Sequence, residues 1–321
     1  MVLDFLRTFE LKTQRTDMIS FPNCKINIGL NVISKRSDGY HDIETVFYPV
    51  NYLDALEIKL MKPLDPATIR KRIESHMLIS PDSIFASSKK RQADIPCCSL
   101  RMTGNDIECQ AMDNLVVKAY TMLLEDFDLP AIEIELHKHI PSGAGLGGGS
   151  ADGAFMISLL NRRFNLRMKD SMMERYAARL GSDCAFFIKN KPAFAEGRGE
   201  VLSPVDLSLS GRVLVIVKPD VFVSTAEAYA GVTPKRPQVS LKESVKRPVS
   251  EWKGLIFNDF EESVFARHPQ LAQIKEKLYF LGAEYAAMSG SGSALYGIFK
   301  EPLDRPSELF PGMFCCQREL L

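Results

Sequence analysis

Residues Pro141–Ala151 read PSGAGLGGGSA, five glycines in eleven positions, directly ahead of an apolar stretch at helical spacing. Glycine permits backbone conformations that turn successive amides toward one point, and a helix N-terminus adds partial positive charge. The chemistry this suits is phosphate binding by the backbone of Pro141, Ser142, Gly143, Ala144, Gly145, Leu146, Gly147, Gly148, Gly149, Ser150 and Ala151. Gly143, Gly145 and Gly148 also fit the G-x-G-x-x-G of a dinucleotide site, but no ribose-binding acid ends a second strand about 20 residues on. A Walker loop is excluded because no GK[ST] follows. A second glycine-serine turn, MSGSGSA at Met288–Ala294, reads as a further wall of a phosphate site rather than as a nucleophile.

Single residues stand out beside these turns. Lys25 sits in PNCKINIGL, where the alternation would otherwise place a neutral side chain, and Asn27 lies two residues on, hence on the same strand face. Asp183 follows Gly181-Ser182 at a helix end and precedes the apolar run Cys184–Ile188. By themselves Lys25 can be a solvated strand lysine, and Asp183 reads better as a turn or capping aspartate. Asp152 adds a charge beside the proposed anion cradle that local sequence does not explain. His76, His137, His139 and His268 have no partners at metal-ligand spacing, so no protein metal site is expected.

The elements that must position these residues follow from periodicity. Residues 22–34 alternate apolar and polar, the pattern of a strand with one face on a core, and Thr45–Ile58 continues as strand and turn. Asn114–Phe127 has helical spacing, Ala131–His137 alternates as a strand, and Ser150–Asn165 is again helical, so the glycine cluster is a strand-to-helix turn. Asp170 is the expected N-cap of a further helix ending at Gly181. Arg212–Lys218 is a compact apolar strand after the polar stretch Ser203–Gly211, which puts a domain boundary near residue 205 and gives domains 1–205 and 206–321. Residues 62–98 read as a solvated excursion, and Thr233–Lys253, basic and proline-punctuated, as a solvated linker.

The bulk composition narrows the class. A chain of 321 residues with 45% hydrophobic and 25% charged residues can bury two cores. Forty basic residues balance forty acidic ones, which argues against a nucleic-acid binder with a broad basic surface. Seven cysteines without CxxC spacing read as free thiols in a reducing compartment. No apolar run reaches the roughly 18 residues of a membrane span, and Asp4, Glu10 and Asp17 do not suit a targeting signal, so the expected location is the cytoplasm, without membrane partners.

PNCKINIGL, PSGAGLGGGSA and MSGSGSA, in this order, resemble the three blocks of the GHMP kinases. The further blocks RSDGYHDIETVF (Arg36–Phe47), DNLVVKA (Asp113–Ala119), LGSDCAFF (Leu180–Phe187) and AFAEGRGE (Ala193–Glu200) are most similar to the branch acting on 4-diphosphocytidyl-2-C-methyl-D-erythritol in the non-mevalonate route to isoprenoid precursors. The resemblance implies an α+β fold with a ribosomal-protein-S5-like N-terminal domain and a ferredoxin-like C-terminal domain. It further implies transfer of the ATP γ-phosphoryl to the 2-hydroxyl of that small molecule, with Mg²⁺ accompanying ATP, by a monomer or homodimer. Lys25 becomes the active-site lysine and Asp183 the catalytic base. Tyr40 and His41 line the cytidine pocket, Thr225 and Tyr229 of VSTAEAY form the opposite wall, and Asn27 bonds the acceptor's polyol. Departures from the pattern are Cys24, where alanine is usual, and Ala151-Asp152. A mevalonate or homoserine kinase of the same superfamily and a nucleotide-binding regulator without catalysis are the alternatives.

Overall fold

The run Asn23–Lys35 forms one long strand, and burial along it extends past the alternation that its sequence shows. The computed structural model describes residues 19–61, 78–79, 98–105 and 109–320. Most of the 62–98 excursion lies outside the described residues. In chain order the strands begin with β1 (Ile19–Ser20), β2 (Asn23–Lys35), β3 (His41–Leu53), β4 (Ala55–Leu60), β5 (Leu78–Ile79) and β6 (Cys98–Gly104). Helix α1 (Leu115–Asp126) and strand β7 (Ile132–Lys138) follow, then helices α2 (Gly148–Phe164), α3 (Asp170–Leu180) and α4 (Phe186–Lys189). Strands β8 (Ala193–Glu196), β9 (Val201–Pro204) and β10 (Val213–Lys218) lead to helices α5 (Thr225–Ala230), α6 (Leu241–Ser244), α7 (Glu261–Arg267) and α8 (Pro269–Phe280). The last elements are β11 (Tyr285–Met288), β12 (Leu295–Phe299), α9 (Pro306–Leu309) and β13 (Phe314–Glu319).

Two units divide the chain, and they interleave along it. The first comprises Met1–Pro22, Leu53–His139 and Gly149–Ile188; the second comprises Asn23–Tyr52, Ile140–Gly148 and Lys189–Leu321. Residue 205, the expected boundary, falls within the second unit, after β9.

The first unit carries a sheet of order β1-β4-β7-β6-β5, in which β6 and β7 pair in parallel and β4 and β7 antiparallel. Strand β7 alternates strictly between buried and half-buried positions, as its sequence pattern dictates, and Ile132, Ile134 and Leu136 enter the core. Helix α1 starts where the Asn114 side chain accepts from the Val116 amide at 3.0 Å, relieving one unpaired donor of the first turn. Helix α3 spans the expected residues with one difference: its N-cap is Lys169, and Asp170 is the first helical residue. In that first turn its carboxylate still favours the positive end of the helix dipole.

The second unit holds two four-stranded sheets. One has the order β2-β3-β8-β9 and the other β11-β12-β10-β13. In the latter the chain runs β10, helices, β11, β12, helix, β13, with antiparallel pairing throughout, which is the split βαβ arrangement of the ferredoxin-like fold. The chain is therefore α+β, with the expected ferredoxin-like C-terminal part. Thr233–Lys253 is not a solvated linker: Leu241, Val245, Val249 and Trp252 are all buried in the same core as Ile26, Ile216 and Tyr285. Their spacing of three to four residues lets a chain with only short helical turns present one apolar face, and the Trp252 indole N–H donates to the Arg247 carbonyl at 2.8 Å.

Candidate active site

Strand β2 buries both its apolar and its polar side chains. Lys25 is 2% exposed and Asn27 3%. An ammonium survives such burial only with partners, and here they come from the glycine turn. Lys25 Nζ donates to the Gly145 carbonyl at 3.0 Å and to Asn27 Oδ1, and it stands 5.0 Å from the centre of the Phe47 ring. The Lys25 amide donates to the Leu146 carbonyl at 2.9 Å, so backbone and side chain of one residue both hold the turn. Asn27 Nδ2 donates to Thr45 Oγ1 at 2.9 Å, and Thr45 donates its own proton to the Gly29 carbonyl at 2.6 Å. The Asn27 side-chain amide is thus engaged at both ends, with one acceptor site on Oδ1 and one N–H of Nδ2 beyond these two bonds.

The second glycine-serine turn meets the first. Ser289 Oγ accepts from the Asn27 backbone amide at 3.2 Å and donates to the Gly145 carbonyl at 2.9 Å, while the Ala294 amide donates to the Ala144 carbonyl at 3.1 Å. Gly145, at φ +73°, is forced to be glycine, because a Cβ there would overlap the Ser289 carbonyl oxygen. The turn Met288–Ala294 therefore packs directly on the glycine cluster.

Two buried side chains that the sequence reading did not single out hold that second turn. Asn258 Nδ2 donates to the carbonyls of Met288 and Gly290, both at 2.8 Å. Glu261 Oε1 accepts from the Met288 amide at 2.8 Å, and Lys275 pairs with Oε2 at 2.5 Å. Burial pushes the Glu261 carboxyl up, against the pull of Lys275. The available signal was the polar sequence Asn258-Asp259 between apolar neighbours.

Of the residues expected to hold a cytidine, the structure brings His41 and Tyr229 together. Their rings stack with centroids 4.7 Å apart at an interplanar angle of 18°, and Phe260 meets Tyr229 edge-on at 4.8 Å. Tyr40 is not part of this stack; it is 57% exposed, with the Arg198 guanidinium 5.0 Å over its ring. Thr225 is exposed at the start of α5, its hydroxyl 3.4 Å from that of Ser291.

Asp183 belongs to the first unit, half-buried in the turn between α3 and α4. Its neighbour Cys184 is buried, which pushes the thiol up to about 12 against the opposing influence of the Ser150 side chain. Asp152 has a structural account: its carboxylate pairs with Lys138 in the interior of the first unit. Among the described residues no group of three or more His, Cys, Asp or Glu could hold a metal ion.

Comparison with known proteins agrees with this architecture. Residues 114–191 match the GHMP kinases N terminal domain and residues 240–308 the GHMP kinases C terminal domain. A 4-diphosphocytidyl-2-C-methyl-D-erythritol kinase of Bacteroides fragilis is 52% identical over 304 residues, covering 94% of this chain and 100% of the relative. The kinase of the same name from Parabacteroides distasonis is 46% identical, again over 94% of this chain and 100% of its own length. Among solved structures, a 4-(cytidine 5'-diphospho)-2C-methyl-D-erythritol kinase superposes with a TM-score of 0.66 at 27% identity, covering 88% of this chain and 90% of the other. A homoserine kinase from Cytophaga hutchinsonii shares the fold alone, with a TM-score of 0.63 at 16% identity over 94% of each chain. Half the residues are shared with a relative across nearly the whole length, and the chain belongs to the 4-diphosphocytidyl-2-C-methyl-D-erythritol kinase family of the GHMP kinases.

Proposed function

We propose that this protein transfers the γ-phosphoryl group of ATP to the 2-hydroxyl of 4-diphosphocytidyl-2-C-methyl-D-erythritol, forming the 2-phosphate and ADP in the cytoplasm. The observation that carries the reading is the closure of the glycine turn on Lys25 through the Gly145 carbonyl, in a chain 52% identical to a kinase of that name. Backbone amides of residues 142–151, in the turn that Pro141 opens, bind the phosphates of ATP, aided by the N-terminus of α2. Lys25 meets the negative charge that spreads over the transferring group, and Asn27 and Thr45 fix its ammonium. The Asp183 carboxylate takes the proton of the acceptor hydroxyl. His41 and Tyr229, already stacked, with Tyr40 and Thr225, bind the cytidine end of the acceptor. Mg²⁺ accompanying ATP would screen its phosphate charge.

A coupled ADP-release assay decides the substrate. With purified protein and Mg-ATP, turnover is expected with the cytidine-linked methylerythritol and not with mevalonate, homoserine or galactose. Turnover of mevalonate or homoserine alone would overturn the assignment, and ATP binding without turnover of any acceptor would make the chain a nucleotide-binding regulator.

A further inference from the structure

Asp54, Lys138 and Asp152 come from three separate elements of the first unit and meet in its interior. Asp54 joins β3 to β4, Lys138 is the last residue of β7, and Asp152 lies near the start of α2. Their side chains are 0%, 3% and 3% exposed. Lys138 Nζ pairs with Asp152 Oδ2 at 2.6 Å and with Asp54 Oδ2, while Asp54 Oδ1 accepts from the His139 amide at 2.6 Å. Asp152 Oδ1 is buried without a hydrogen-bond partner among the described residues.

One ammonium between two buried carboxyl groups is a costly interior. Burial pushes the Asp152 carboxyl up to about 8, with Lys138 opposing and Asp54 adding to the rise. Burial alone would lower the Lys138 ammonium, but the attraction of Asp152 and Asp54 outweighs it and holds the group above its ordinary value. Buried ion clusters are commonly no more stabilising than apolar side chains of the same volume, so stability alone does not account for this one. Its place in the chain does. Lys138 and Asp152 stand on either side of the glycine turn, fourteen residues apart, and the hydrogen bond from Lys138 Nζ to Asp152 Oδ2 at 2.6 Å ties the two ends of that segment. On the entry side Asn105 adds two bonds, from its amide to the Lys138 carbonyl at 2.8 Å and from Nδ2 to the His139 carbonyl at 2.6 Å.

We infer that Asp54, Lys138 and Asp152 are positioning residues for the nucleotide: by clamping both ends of the glycine turn they set the affinity for the triphosphate of ATP without touching it. A backbone cradle binds an anion only if its amides already converge, and a turn with free ends loses that convergence to conformational entropy. This inference rests on the reading of residues 141–151 as the phosphate site.

The test compares full-length Asp152→Ala, Lys138→Met and Asp152→Asn with wild type. KM for Mg-ATP, KM for the acceptor and kcat are measured well below each variant's melting temperature. Asp152→Ala and Lys138→Met are expected to raise KM for ATP about 10-fold or more, with KM for the acceptor within about 2-fold. Asp152→Asn keeps the volume and an oxygen for Lys138, and it is expected to restore KM for ATP to within about 3-fold of wild type. A parallel rise of both KM values, or unchanged KM values with only a lower melting temperature, would overturn the inference, as would failure of both Asp152→Ala and Lys138→Met to fold. Hydrogen exchange of wild type with and without Mg-ADP separates the two readings. No protection of amides 142–151 would overturn the phosphate site itself, whereas protection there with an unmoved KM for ATP in Asp152→Ala overturns the positioning role alone.

Discussion

Lys25 Nζ donates to the Gly145 carbonyl at 3.0 Å, so the cation proposed to meet phosphoryl charge is tied to the turn proposed to hold the phosphates. Gly145 keeps a second donor, Ser289 Oγ at 2.9 Å, when the lysine is removed. Lys25→Met therefore leaves no orphaned carbonyl at Gly145 and is expected to fold. Its kcat should fall about 10²- to 10⁴-fold, and that of Asp183→Asn should fall in the same range, because a neutral amide takes no proton. Steady-state kinetics on variants shown folded by circular dichroism give the answer. The double variant should be little slower than the worse single one, since groups that act together are not additive. A folded Asp183→Asn with kcat within a few-fold of wild type would remove Asp183 from the role of base.

Two glycines of one turn should respond in opposite ways. At Gly145 the φ of +73° and the backbone atoms of Ser289 and Gly292 leave no room for a Cβ, and Gly145→Ala should cost about 2–4 kcal/mol of stability, combining left-handed strain and overpacking. At Gly149 a Cβ would meet nothing within 4 Å. Gly149→Ala should keep or slightly raise the melting temperature, as alanine suits a helix better than glycine, while raising KM for ATP by crowding the phosphates. Differential scanning calorimetry and ATP titration of the pair test this. An unchanged ATP affinity in Gly149→Ala would place the phosphates elsewhere.

The Asp152 carboxyl gives a pH dependence of unusual sign. Folded, it holds its proton up to about pH 8; unfolded, it releases it near the ordinary value of 3.8. Between those values the folded state binds more protons, so this group's contribution to stability falls as pH rises. The charged groups facing it are Lys138 and Asp54. An asparagine side chain does not titrate, and the melting temperature of the Asp152→Asn variant minus that of wild type should therefore increase between mildly acidic and mildly alkaline pH. A difference that is flat or falls across that range would mean that Asp152 is ionised throughout.

Tyr40 offers a substitution without a folding cost, being 57% exposed. Tyr40→Ala should leave the melting temperature unchanged and raise KM for the acceptor about 10-fold with KM for ATP nearly constant, given that stacking on a base contributes about 1–3 kcal/mol. Tyr229→Ala should do the same with some loss of stability, because it removes the His41 stack and the Phe260 edge contact. Equal changes in both KM values would show that these aromatics do not face the cytidine.

Much of the local structure is legible in the sequence because its determinants are local. The alternation of residues 132–138 specifies a half-buried strand, and the glycine cluster ahead of an apolar period-3.6 stretch specifies a strand-to-helix turn. The mismatch at Thr233–Lys253 has a local cause as well. Its prolines and basic residues dominate the composition, while Leu241, Val245, Val249 and Trp252 carry the burial.

The sequence by itself determined the glycine turn, the lysine strand and the membership of the kinase family, since backbone preference and side-chain period are set by neighbours within a few residues. Only the tertiary structure decided which partners the buried polar groups take. Ser289 meets Asn27 across 262 positions of sequence, and Lys138 meets Asp54 across 84. A polar group removed from water must find a donor or acceptor wherever the fold supplies one, and that choice depends on which distant segments pack together. For the same reason Asp152 reads as an unexplained charge beside an anion site in the sequence, and as one end of a clamp in the folded chain.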